Sequence, residues 1–374
     1  MKHFQCISKS NGLTLVELLV ASTIGLFILG GVISVVIENK ENFVFEQEIS
    51  IMQENARFID DELTHEIRMG GYVGCSTGAA FTNTLNIVAS NWMHGSQPVK
   101  GYESVDAGAL SGISDIKSNT DVLVVNRGDP YESADVSLHI PVAGVITTVS
   151  DHGFVSGDVL LFSDVSCSNS VIFEASAASA DSIAHAGVGN NCRRALSTPS
   201  GDGYDCSSPP PTSTIGMAYS PGSTIMRYKS SAYFVSNSTI TGLPTLYRAT
   251  RISGGSLDSQ ELISGVEDFQ VTFGMDTDSI ADGAVNRYFS ANEVVSDVAS
   301  AGSGWVGWDR VLVVRTTIVM RSTREVMGTR SVVDLGGGFT SATYDSGPTS
   351  DPGTRYIFQK VNITSRLRNR GSGL

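Results

Sequence analysis

The first regularity along the chain is an unbroken apolar run close to its start. Residues 13–37 read LTLVELLVASTIGLFILGGVISVVI and contain a single charge, Glu17. Polar residues bound the run, Asn11-Gly12 before it and Glu38-Asn39-Lys40 after it. As an α-helix this length crosses a hydrocarbon core of about 30 Å. Lys2 and Lys9 precede it, so the positive-inside rule places the N-terminus in the cytoplasm and the bulk of the chain outside. A secretory signal peptide would have a shorter apolar region followed by a small-x-small cleavage site, whereas polar sequence simply continues here. Cys6 has no apolar stretch in front of it, which argues against a lipoprotein signal.

Beyond residue 38 the apolar positions thin to one face. Phe45, Ile49, Met52, Ala56, Ile59, Leu63 and Ile67 recur at spacings of four and three, while Glu46, Gln53, Glu54, Arg57, Asp60 and Asp61 lie opposite. No proline occurs before Pro98, and Gly70-Gly71 supplies a stop. The pattern predicts one helix from about Leu13 to Met69, with a transmembrane half at 13–37 and a periplasmic amphipathic half at 38–71. The stripe reads as a core-facing surface, since an acidic outer face suits a membrane surface poorly. His65 reads as a solvated helix residue.

After Gly71 the period changes. Val122–Asn126, Ser137–Val149 and Val159–Phe162 are apolar or alternating runs separated by Gly and Asp turns, as are Thr224–Lys229, Ala232–Val235, Pro244–Ala249, Val266–Gly274, Val311–Arg321 and Arg355–Ile363. Residues 176–224, rich in Ser, Ala, Gly and Pro with Pro209-Pro210-Pro211 in the middle, read as an irregular insertion pinned by cysteines. The expected fold is α+β: one long N-terminal helix carrying a large antiparallel β-rich domain over 72–374.

Composition fits that picture. Of 374 residues, 39 are Gly and only 17% are charged, which suits an extracytoplasmic β-domain with long loops. A net charge of −13 repels phosphate, so nucleic acid is not an expected partner. The cysteines are Cys6, Cys75, Cys167, Cys192 and Cys206. Cys6 lies on the reducing side of the apolar run; the other four are an even set that allows three pairings. No C-x-x-C spacing occurs, so neither a zinc nor a thioredoxin-type site is expected.

Motifs for chemistry are scarce. Asp276, Asp278 and Asp282 invite a calcium reading, yet they lack the EF-hand spacing and its terminal Glu, and a polar hairpin loop explains the 276–283 segment better. Gly336-Gly337-Gly338 lacks the lysine of a P-loop. No G-x-S-x-G, H-E-x-x-H or Ser-His-Asp arrangement stands out, so neither an enzyme activity, a cofactor nor a metal is expected. Arg366, Arg368 and Arg370 suit either a solvated final strand or contact with an acidic partner or headgroups. Glu17 is the anomaly: a carboxylate in a bilayer helix costs several kcal/mol unless it pairs or takes up a proton. It serves either as a helix-start residue complementing the N-terminal dipole or as a charge awaiting a partner on another subunit.

Gly12-Leu13-Thr14-Leu15-Val16-Glu17-Leu18 resembles the class III signal of type IV pilins and type II secretion pseudopilins. The resemblance implies that a prepilin peptidase cuts after Gly12, that Leu13 is methylated, and that Glu17 governs subunit docking by meeting the new amine of a neighbour. Most members carry Phe where Leu13 stands. The segment QENARFIDDELTHEIRMGGYVGC, from Gln53 to Cys75, is similar to the PilW family. So are GDVLLFSDVSC from Gly157, LISGVEDFQVTFG from Leu262, WDRVLVVRTTIVMRS from Trp308 and RYIFQKVNITSRLRNR from Arg355. The chain is longer than is usual in that family. The likeness implies a pilin-like minor pilin, a structural subunit of the type IV pilus priming or tip complex. It would sit in the bacterial inner membrane before assembly, with other minor pilins, the major pilin and the inner-membrane assembly platform as partners. It also suggests bridges Cys75–Cys167 and Cys192–Cys206. A J-type pseudopilin of type II secretion is the alternative built on the same helix; a tip adhesin, using the insertion, is another.

Overall fold

The computed structural model describes residues 14–369, apart from 75–79, 87–91, 96, 106–107, 193, 197–216, 253–255, 279–281, 295–306, 346 and 349–352. Gly12, Leu13, Cys75 and Cys206, together with the triple proline and Arg370, lie outside the described residues.

Helix α1 runs Leu15–Met69 without a break. Thr14 caps its start. At its end the Gly70 N–H donates to the carbonyls of Glu66 and Ile67, and Gly71 takes the left-handed conformation at φ 74°. A Cβ on Gly71 would stand 2.9 Å from Pro98 Cγ, so glycine serves both the turn and the close approach. The Gly71 N–H then donates to the Asn126 carbonyl (2.8 Å), which docks the helix exit on the sheet.

Among the described residues the strands that follow are β1 (Ala80–Asn83), β2 (Val99–Tyr102), β3 (Val122–Ile140), β4 (Val145–Thr148), β5 (Val159–Ser163), β6 (Asn169–Glu174), β7 (Ala177–Ser179), β8 (Ser182–Ala184), β9 (Thr224–Asn237), β10 (Pro244–Arg251), β11 (Leu257–Ser264), β12 (Val266–Met275), β13 (Arg287–Phe289), β14 (Val311–Arg321), β15 (Asp334–Gly336), β16 (Phe339–Thr340) and β17 (Phe358–Arg366). The larger sheet follows the order β1-β6-β5-β9-β3-β4-β8-β7, with β2 added to β3, β10 to β9 and β11 to β10. The smaller follows β13-β12-β14-β17. Among the described strand pairings β1 with β6 is parallel and the others are antiparallel. Asp121 joins the two sheets: its N–H donates to Phe269 O, while its carboxylate accepts from the N–H groups of Val271 and Ser104.

Several expectations are corrected. Thr224–Lys229 and Ala232–Val235 form one strand, β9, because the serines between them pair in register with β3. Ser137–Val149 is a hairpin, with Gly144 at φ 68° in its turn. The start of the supposed irregular insertion is also a hairpin, β7–β8, which extends the larger sheet beyond β4. The last strand begins at Phe358 rather than Arg355.

The inner face of the smaller sheet and the edge of the larger one enclose one core, into which α1 lays Met52, Ile59, Leu63 and Ile67. Phe45, at the top of the same stripe, remains 37% exposed. Three carboxylates share this buried face. Glu66 accepts two bonds from the Arg127 guanidinium (2.9 and 3.1 Å). Glu62 accepts from Tyr233 Oη (3.0 Å) and Arg248 (2.5 Å). Glu48 accepts from the backbone N–H and hydroxyl of Thr323. Removing one partner of a buried pair leaves the other charge uncompensated. Glu66→Ala is therefore expected to cost about 3 kcal/mol, read as a lower denaturant midpoint of the detergent-solubilised chain, whereas Glu54→Ala on the outer face is expected to change it by less than about 0.5 kcal/mol.

Candidate assembly interface

Among the described residues nothing packs over the N-terminal part of α1. Its apolar window has no buried residue, and Phe27 is 89% exposed. A helix that is apolar all round and bare of protein is long and apolar enough to cross a membrane. Its polar side chains are satisfied locally. Ser22 donates to Leu19 O, Thr23 to Val20 O and Ser34 to Gly30 O, so none of the three requires water.

Glu17 closes a capping box with Thr14. The Glu17 N–H donates to Thr14 Oγ1 (3.3 Å), and Glu17 Oε2 accepts from the Thr14 N–H (3.2 Å) and hydroxyl (3.2 Å). The helix-start reading of Glu17 thus has a geometry. The carboxylate lies four residues beyond Leu13 in the chain, in the first turn of the helix, where a negative charge is favoured.

Towards the other end of α1, beside Glu66, a cleft of about 370 Å³ opens over β9 and β10. Arg127, Arg227, Lys229, Arg248 and Arg251 line it. Each has a carboxylate partner: Glu66, Asp158 and Glu132, Asp129, Glu62, and Glu174 respectively. With its cations already neutralised, this cleft is an electrostatic clasp between helix and sheet and not an anion site.

The aspartates of the 276–283 loop converge, with one carboxylate oxygen of each within 4.8 Å of the others. Asp276 is fully buried and accepts from the N–H groups of Asp278, Asp282 and Gly283, while Arg310 donates to the carbonyls of Asp276 and Asp278. These bonds account for the loop shape through its own backbone.

A family model for type IV pilus-assembly protein W, PilW, matches residues 232–369. Over these residues, somewhat over a third of the chain, it is similar to that family. No curated protein and no solved structure matches. The PilW match takes in the second half of β9, β10 and β11, the whole smaller sheet, and Tyr233, Arg248, Thr323 and Ser365. Those four residues hold Glu62, Glu48 and Thr64 of α1, so the matched segment shares the grip on the helix with Arg127, which lies outside it.

Residues 134–225 lie outside the match and carry a core of their own, with Val136, Ile146, Phe162, Phe173, Ile183 and Ile225 among its members. Cys167 and Cys192, in and beside this lobe's strands, are each disulfide-bonded. Within it the buried His139 and His185 meet Nε2 to Nε2 at 3.0 Å. The bonds around them fix the tautomers. His139 Nδ1 accepts from the Tyr219 N–H, so its Nε2 carries the proton; His185 Nδ1 donates to Arg194 O, so its Nε2 accepts. Both rings are neutral and fully engaged, which leaves no lone pair for a metal. Burial, then the neighbouring His185, pushes His139 down from 6.5 to about 4, and burial lowers His185 too. The unfolded chain takes up protons below 6.5 that the folded lobe refuses. The stabilisation is therefore full above pH 6.5 and is lost as pH falls towards about 4. Hydrogen exchange of β4 and β8 amides, read against pH, is expected to accelerate there before the amides of β12 and β14 do.

Proposed function

We propose that the chain is a minor pilin: a structural subunit of the type IV pilus that joins other minor pilins in the complex priming assembly, and that resides at the tip. The observation that carries this reading is the pairing of a bare membrane-length helix with a PilW-like segment that shares the grip on the same helix. In this reading the chain waits in the inner membrane with its N-terminus in the cytoplasm and its β-domain in the periplasm. A prepilin peptidase cuts between Gly12 and Leu13 and methylates Leu13. The assembly platform then extracts the helix into the filament base, where other minor pilins and the major pilin meet it. Cys75–Cys167 and Cys192–Cys206 are the disulfide pairs of the proposal. Neither catalysis nor a cofactor enters it.

In an assembled helix bundle the Glu17 carboxylate of one subunit neutralises the Leu13 amine of another, which removes two charges from apolar surroundings at once. Within its own chain Glu17 caps the helix through Thr14. Glutamine retains the acceptor that a capping box needs and loses only the charge. Glu17→Gln is accordingly expected to insert and fold normally while cutting surface piliation at least tenfold; wild-type piliation would leave capping as its whole role. Intact mass of the mature protein is expected to give a species beginning at methylated Leu13, and an uncut Met1 terminus in peptidase-competent cells would overturn the processing step. Crosslinking in an inner membrane that carries both machines separates the pilus from type II secretion: capture of pilus minor pilins is expected, and capture of secretion pseudopilins alone would establish the J-type alternative.

A further inference from the structure

The smaller sheet has a second face, turned away from α1. Register places Thr272, Arg315 and Thr364 side by side across β12, β14 and β17, with Gln270, Thr317 and Asn362 in the next polar row. Arg366 and Lys360 share that face, each one same-face step away, Arg366 beyond Thr364 and Lys360 beyond Asn362 in the opposite direction, by strand alternation. Exposed large apolar side chains are absent from these positions. Among the described residues no carboxylate comes within salt-bridge reach of Arg315, Lys360 or Arg366, although the chain carries a net charge of −13 and its other clustered cations, in the cleft by α1, are paired.

Arg315 is positioned rather than merely exposed. Its guanidinium lies 3.8 Å above the centroid of the Tyr288 ring. Tyr288 pairs with Gly274 across β13 and β12, and a Cβ on Gly274 would come within 3.0 Å of the ring and 2.9 Å of Val285. The missing side chain lets the ring lie across β12, and the ring holds the planar fork of Arg315 over the sheet. Arg366 keeps its orientation by donating to Gly283 O (3.0 Å), and Lys360 by donating to Gly336 O (2.6 Å).

We propose that this outer face binds a linear, carboxylate-bearing polysaccharide. Arg315 and Arg366, diagonal neighbours about 7 Å apart, take carboxylates, and Lys360 adds a third charge about 20 Å from Arg366 along β17. Thr272, Thr317, Asn362 and Thr364 present hydroxyl and amide groups between them to sugar hydroxyls. A flat polar strip with sparse cations matches a polymer whose charges are spaced along a hydroxyl-rich backbone. Duplex nucleic acid fits less well, since its binding rests on many phosphate contacts, and the rings beside these cations, Tyr288 and Phe339, already lie under Arg315 and Lys360. A lipid surface lacks the apolar anchors it would need.

The test uses the full-length chain in detergent micelles, titrated with polygalacturonate and, separately, with neutral dextran. Saturable binding of polygalacturonate and none of dextran is expected. The double variant Arg315→Gln/Arg366→Gln is expected to weaken it at least tenfold with an unchanged thermal midpoint, because both side chains are exposed. Arg315→Lys, which keeps the charge and loses the stacked fork, is expected to fall between. Undiminished binding by the double variant would overturn the proposal. So would equal affinity of the wild-type chain for double-stranded DNA or for anionic phosphatidylglycerol vesicles at the same salt.

Discussion

The inward row of carboxylates on α1 is the constraint on which the arrangement depends. Glu48, Glu62 and Glu66 lie on the same helix face as Met52, Ile59 and Leu63, against the core. Charges there are tolerable only where their partners stand, on Arg127, Arg248, Tyr233 and Thr323. A purely apolar stripe could slide by a turn or roll by a fraction of one at little cost. With three carboxylates in it, any such shift strands a charge in an apolar interior. The helix is thereby fixed in rotation and in register, and its bare half projects from the domain in one defined direction.

That fixity bears on the N-terminal half. Among the described residues nothing packs on the apolar segment, which joins the β-domain through a continuous helix of 55 residues. Glycines at 25, 30 and 31 lie within the apolar run without breaking the helix, and the Ser34 hydroxyl donates to the Gly30 carbonyl. Glu17, four turns and more from any tertiary contact, is held by Thr14 alone. Its cap is therefore independent of how the domain is packed, and a cap of that kind survives transfer of the helix from lipid to a protein bundle.

The sequence carried the helix because its signals are local: an apolar run, a spacing of threes and fours, and a glycine pair. The strands with alternating or β-branched runs were legible for the same reason, Val311–Arg321 to the residue. What escaped was non-local. Nothing local marks Glu48, Glu62 and Glu66 as core-facing carboxylates, because their partners lie between 61 and 275 residues away. Strand β11 is mostly polar and half-exposed, so its alternation is faint, and β7 and β8 are three-residue strands of Ala, Ser and Ile that composition alone assigns to a loop. Of the site residues, Glu17 gained a partner in Thr14. Gly12, Leu13, Cys75 and Cys206 lie outside the described residues, so the leader cut and the disulfide pairing rest on resemblance.

The two faces of the smaller sheet divide its work by alternation. Phe273, Val314 and Ile363 point to the helix, and their neighbours Thr272, Arg315 and Thr364 point away. A one-residue slip in β14 would exchange the sets, placing Arg315 in the core and Val314 in solvent. The bulges at Val266/Asp268 and Gly274/Met275 bracket the paired stretch of β12. Gly274 stands at the second of them, beneath Tyr288. The glycine that allows Tyr288 to cross the strand thus stands where the register is reset. Core packing on one face and the placement of Arg315 on the other are, for that reason, not independent: the apolar face that grips α1 sets the register that aligns the polar one.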